Sequence, residues 1–191
     1  MVIGLKSSRI IISKYISTLT TLGYAFPGAV LGLGILIPLA TADNWFADKI
    51  YFITGADPGL LFTGSAAALI IAYCVRFFAI GVGAAESGLA SISPSIPHVA
   101  RSLGTRNSSL IWKIYQPLMR GSLASAMVLV FVDALKELPA TLLLRPFNFE
   151  TLATHTYGQA SLENFSGTAP PALLIIGLSF SAIIVLAKAN R

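Results

Sequence analysis

The chain has 191 residues, of which 55% are hydrophobic and 11% charged, with a formal net charge of +5 and a mean hydropathy of +0.77. Soluble domains carry roughly a quarter charged residues and could not hide this much apolar surface, so a soluble enzyme or binding module is excluded and lipid is the solvent for much of the chain. The basic residues lie in short polar segments beside apolar runs, which reads as membrane orientation and not as nucleic-acid binding.

The N-terminal MVIGLKSSRIIISKYIS is not a signal peptide, because its apolar stretch at 10–12 is too short and no small-residue cleavage site follows. It reads as the polar end of a cytoplasmic segment. A helix needs about 20 apolar residues to cross a bilayer. Four stretches approach this length: 22–40, 60–85, 118–144 and 171–188. Their apolar runs are continuous, not alternating, so the predicted fold class is an all-α polytopic transmembrane bundle and not a barrel. Gly28 and Gly32 suit close helix contact in lipid. Pro27 and Pro38 are expected to kink or end the first span. Segment 41–59 reads as an outer loop whose Trp45, Phe46, Tyr51 and Phe52 belong to an interfacial belt. The single cysteine, Cys74, lies in an apolar run and reads as a packing residue, with no disulfide framework or cysteine metal site.

The polar interruption at 86–120 carries most information. Ser93 and Pro94 signal a helix start, and Gly104 stops that helix because glycine takes the left-handed conformation at no steric cost. Ser108 or Ser109 caps a second short helix through Tyr115, and Pro117 opens the next span. The expectation is a compact helix, glycine turn, helix knob. With the N-terminus inside, the inner segments hold Lys6, Arg9, Lys14, Arg101, Arg106, Lys113, Arg120, Lys188 and Arg191. The outer segments, 41–59 and 145–169, hold only Lys49 and Arg145 as basic residues, beside the acids Asp43, Asp48, Asp57, Glu150 and Glu163. The positive-inside rule thus predicts four crossings, both termini of the chain inside, and the knob in the cytoplasm.

Arg76, Asp133, Lys136 and Glu137 fall in or near the spans, and Arg145 follows the third. Charges there are expensive and face a partner or a wet cavity. Both roles, structural pairing and contact with a ligand in such a cavity, stand open for them. Lys136 and Glu137 are expected to fix the outer RPFNF turn, which begins at Arg145, against the third span. No catalytic constellation is visible: His98 and His155 lie on opposite sides under this topology, and no HExxH, GxSxG or phosphate-binding loop occurs.

The knob resembles the cytoplasmic loop of ABC importer permeases. That family carries EAA, three residues, Gly, nine residues, Ile, one residue, Leu-Pro. Here His98, Val99 and Ala100 stand at the EAA positions, then Gly104, Ile114 and Pro117 follow at the full spacing. The departures are His98 for Glu, Val99 for Ala and Gln116 for Leu. GYAFPGAVLGLGIL, AYCVRFFAIGVGA and KELPATLLLRPFNFETLAT also resemble, in that order, permeases of iron(III) importers. The resemblance implies a type I permease domain over 1–191 of a bacterial inner-membrane importer, with 86–117 as the loop that docks on the ATP-binding subunit. It implies a homodimer of that subunit, a periplasmic substrate-binding protein and a remaining permease half as partners. No cofactor is expected on this chain, and ATP is expected on the partner. Thiamine, polyamine and phosphonate permeases share much of the pattern. Four spans and one such loop match the C-terminal portion of the second half of a fused permease. A membrane assembly subunit without transport role, an intramembrane enzyme and an ion-driven secondary transporter are the rival classes.

Overall fold

A computed structural model describes residues 20, 23–104 and 107–189. Leu22, Lys6, Arg9, Lys14, Arg106 and Arg191 lie outside the described residues, and with them much of the predicted inner charge. The described residues form α1 (Gly28–Thr54), α2 (Ala66–Ala90), α3 (Ser95–Ser102), α4 (Asn107–Leu110), a π-helical turn (Ile111–Tyr115), α5 (Gln116–Leu135), α6 (Pro139–Leu144), α7 (Leu152–Ser161) and α8 (Phe165–Ala189), with no strand among them. Four helices are long and apolar enough to cross a membrane: Gly28–Thr54, Ala66–Ala90, Ser108–Leu135 and Phe165–Lys188.

The expected end of the first span near 40 is not a helix end. α1 runs through Pro38 to Thr54 and stops only where Gly55 takes φ 71 and donates its N–H to the Tyr51 carbonyl. No Gly or Pro interrupts 41–54, so nothing there breaks the helix. The outer loop is correspondingly shorter. Its end is fastened by Asp43, which is fully buried. The Leu61, Phe62 and Thr63 amides donate to its carboxylate at 3.0, 2.8 and 2.6 Å, and the Thr63 hydroxyl donates to it as well. Two residues later Ser65 caps α2 by accepting from the Ala67 N–H. Replacing Asp43 by alanine orphans these donors, with an expected loss of about 3 kcal/mol. Thermal unfolding in detergent checks this, and Asp43→Asn should lose less.

α2 packs lengthwise against α5. Gly88 lies where a Cβ would meet Met119 and Ser122 at 3.1 and 3.2 Å, so glycine permits this close crossing. At the other end of α2, Leu69, Ala72 and Ala68 bury against Leu31 of α1 and Leu144 of α6. α8 exposes Leu173, Ile176, Phe180 and Val185, the composition of a lipid-facing helix.

The predicted third span, 118–144, is not one helix. α5 ends at Leu135, residues 136–138 turn, and α6 starts with Pro139 in its first turn. Proline has no N–H and fits a helix start, so the sequence restarts the helix there. The fourth helix begins earlier than the predicted 171, because Pro170 and Pro171 lie inside α8.

Candidate functional site

The knob forms as predicted at its turn and differs after it. α3 starts one residue later than expected: Pro94 is its N-cap, and Ser93 instead reaches the Ser95 hydroxyl at 2.8 Å. Gly104 has φ 78 and donates to the Arg101 carbonyl at 2.9 Å. Nothing stands within 4 Å of a Cβ at this position, so the left-handed backbone and not space demands glycine. The second helix is not a separate short one. α4 passes through the π-turn into α5 without a break. Within the turn Gln116 N–H reaches back five residues to the Ile111 carbonyl. Pro117 follows; it lacks an N–H and its ring would crowd the carbonyl four residues back, and the widened turn relieves that conflict.

Ala100 is buried in one cluster with Leu89, Ile92, Leu110, Tyr115 and Met119, and Ile114 packs against it. The knob is therefore seated on the ends of α2 and α5. His98, Val99 and Gln116, the three departures from the family pattern, are all exposed. The matching positions hold the shape: Ala100 is the buried anchor, Gly104 the turn, Ile114 the packed flank, Pro117 the helix entry. Above them lies an apolar groove of about 350 Å³ lined by Ser95, Ile96, Val99, Ala100, Leu103 and Ile114. Leu103 on its rim is 80% exposed.

The charges predicted in the spans fall into two connected pairs. Arg76 Nε lies 2.9 Å from Glu137 Oε2, and Glu137 is 6% exposed. The contact is ionic, because the Nε–H is not aligned for a hydrogen bond. Arg76 Nη1 donates to the Phe26 carbonyl at 3.3 Å. Phe26 and Pro27 are non-helical and precede α1, so Arg76 bridges an interruption in the first apolar segment to the interruption at 136–138 in the third. A Cβ on Gly28 would lie 2.7 Å from Glu137 Oε1 and 3.3 Å from Arg76 Nη1, so glycine admits the carboxylate there. The Ala140 N–H points to Glu137 Oε1 at 3.4 Å, at the start of α6. Lys136 pairs with Asp133 at 2.9 Å, and the Tyr24 hydroxyl donates to Asp133 at 3.3 Å. Beside them the Tyr73 and Thr141 hydroxyls share a 2.6 Å hydrogen bond.

Lys136 and Glu137 thus do not hold the 145–150 turn, as was expected of them. Arg145 does so itself: its Nη1 donates to the Phe149 carbonyl at 3.0 Å and approaches Glu150 at 3.4 Å. Asn148 sits at φ 62, which lets the chain reverse. His155 Nδ1 lies 2.8 Å from the second Glu150 oxygen. That hydrogen bond, aided by Arg145, holds the Glu150 carboxyl below its ordinary range.

Asp43 was missed from sequence, where it read as an ordinary loop acid. The partners of Arg76 and Glu137 were also missed, because no local spacing links residues on different helices.

Four membrane-length helices, with a knob seated on two of them and charges paired at helix interruptions, define a polytopic membrane protein. The sequence model of the family described as binding-protein-dependent transport system inner membrane component matches residues 1–190, and the chain belongs to that family, the inner-membrane permeases of ABC importers. It is 26% identical over 181 residues to the Fe(3+)-transport system permease protein FbpB 2 of Haemophilus influenzae, covering 94% of this chain and 32% of that protein. It is 30% identical over 131 residues to the ferric transport system permease protein FbpB of Actinobacillus pleuropneumoniae, covering 69% of this chain and 17% of that protein. A Salmonella typhimurium protein, provisionally named 2-aminoethylphosphonate transport system permease protein PhnV, is 26% identical over 178 residues, covering 93% of this chain and 60% of that protein. The chain therefore spans less than two thirds of the length of each of these relatives.

Proposed function

We propose that this chain is part of the permease of an ATP-driven importer, and that its knob docks on a separate ATP-binding subunit in the cytoplasm. The observation that carries this reading is the knob itself: a turn at Gly104, anchored by buried Ala100, carrying an apolar groove with exposed Val99 and Leu103 on it. An exposed apolar groove of this kind offers a surface for a protein contact. The knob is seated on α2 and α5 through the Ala100 cluster, so a pull on it is passed to two membrane helices as rigid bodies. ATP belongs to the partner, a homodimer, and this chain binds no cofactor. A periplasmic binding protein delivers the substrate, and a further permease half completes the pathway. The chain lies in a bacterial inner membrane with both its ends cytoplasmic, as the basic residues of the inner segments favour.

The proposed substrate is ferric iron, supported by the names of two of the similar proteins. The runner-up is 2-aminoethylphosphonate, supported by the name of the Salmonella typhimurium relative, of which this chain covers 60%. Uptake into proteoliposomes holding the assembled transporter decides between them. Radioiron presented on its binding protein should accumulate only with ATP at the knob side. Accumulation of the phosphonate alone would replace the substrate, and uptake independent of ATP would favour an ion-driven carrier.

A further inference from the structure

The depth of the charged cluster can be read from α2. Residues 66–75 before Arg76 and 77–85 after it are uncharged, and Glu86 follows. At 1.5 Å per residue these flanks span about 15 and about 14 Å. Arg76 therefore sits near the centre of a hydrocarbon core of about 30 Å. Glu137 touches Arg76, and Lys136 is its neighbour in the chain, so Lys136 shares that depth.

At the bilayer centre the two pairs have different surroundings. Arg76 and Glu137 are enclosed and satisfy each other. Lys136 is 63% exposed. Its ammonium carries three donors, and among the described residues it meets Asp133 alone. Tyr24, which donates to Asp133, is half exposed on the same side. An ammonium facing lipid tails at this depth costs several kcal/mol, and this side chain cannot snorkel to an interface about 15 Å away. Its remaining donors call for polar surroundings, which a hydrated cavity supplies.

We propose that Tyr24, Asp133 and Lys136 form part of the wall of a water-filled pathway through the membrane, at the level where the first and third apolar segments are interrupted. Irregular backbone at membrane depth is stable where it lines such a cavity. Tyr24 is held in place because Gly23 packs on α2, where a Cβ would stand 2.5 Å from the Val75 carbonyl oxygen. Asp133 and Lys136 cancel in charge. The wall is hydrophilic without offering an unpaired carboxylate that would trap a cation, as conduction requires. The inference rests on the reading that this chain contributes to a translocation pathway, and it assigns the face that does so.

The test is thiol labelling in the assembled transporter in membranes. Cys74 is itself exposed and is first replaced by alanine. Lys136→Cys and Tyr24→Cys are then compared with Phe78→Cys, an exposed apolar position two residues from Arg76. The probe is a charged, water-soluble methanethiosulfonate, which reacts with hydrated thiolates. Both cluster positions should label at least about tenfold faster than Phe78→Cys, because a thiol in lipid stays protonated and out of reach. Absence of labelling at both positions, or equal rates at all three, overturns the pathway assignment. Labelling needs neither ATP nor uptake, so failure here is distinct from failure of the proposed function.

Discussion

Replacing Glu137 with alanine is expected to destabilise the membrane bundle by about 3–5 kcal/mol, the largest effect of any single change considered. Glu137 is 6% exposed and meets Arg76 at 2.9 Å. Without it, the guanidinium keeps, among the described residues, the Phe26 carbonyl as its hydrogen-bond partner. A buried charge stripped of its counter-ion costs far more than the pair itself contributes. The double variant Arg76→Gln with Glu137→Gln removes both charges and should recover more than half of the loss. Thermal unfolding in detergent or nanodiscs measures both. A single variant as stable as the parent would show that the pair is not structural.

The second large effect belongs to the knob. Ala100→Asp places a carboxylate among Leu89, Ile92, Leu110, Tyr115 and Met119, with no partner, at a cost of about 3 kcal/mol or more. The knob should lose its seat on α2 and α5. The cluster of Leu31, Ala68, Leu69, Ala72 and Leu144 is separate from it, so insertion and membrane packing should survive. Association with an ATP-binding subunit should fall by more than about tenfold, since even 1.4 kcal/mol suffices for that. Val99→Asp changes an exposed residue on the groove. It should weaken association while leaving the knob folded, as limited proteolysis would report.

Features of the sequence that act locally were legible. Gly104 marks a turn because its backbone demands φ 78. The four apolar runs mark spans because lipid requires them. The knob pattern was legible for the same reason: its fixed spacing reflects one buried alanine, one left-handed glycine and one helix entry. Features that depend on distant partners were not. Asp43 reads as a loop acid until the amides of residues 61–63 are seen to converge on it. The polar residues of 41–54 suggest a loop, yet that segment holds no Gly or Pro and α1 continues through it to Thr54. The π-turn at Ile111–Tyr115 has no periodic signature, since its cause is the proline that follows. Arg76, Asp133, Lys136 and Glu137 were recognised as costly, yet their division into an enclosed pair and an exposed one emerges only when α2, α5 and α6 are packed.

If the knob couples this permease to an ATPase, the two must be held together through it. Quantitative co-purification of the ATP-binding subunit tests this most directly, with the parent chain and Ala100→Asp compared at equal membrane expression. The subunit should be retained by the parent and lost with Ala100→Asp. Equal retention by both, or none by the parent chain in its assembled transporter, would contradict the account.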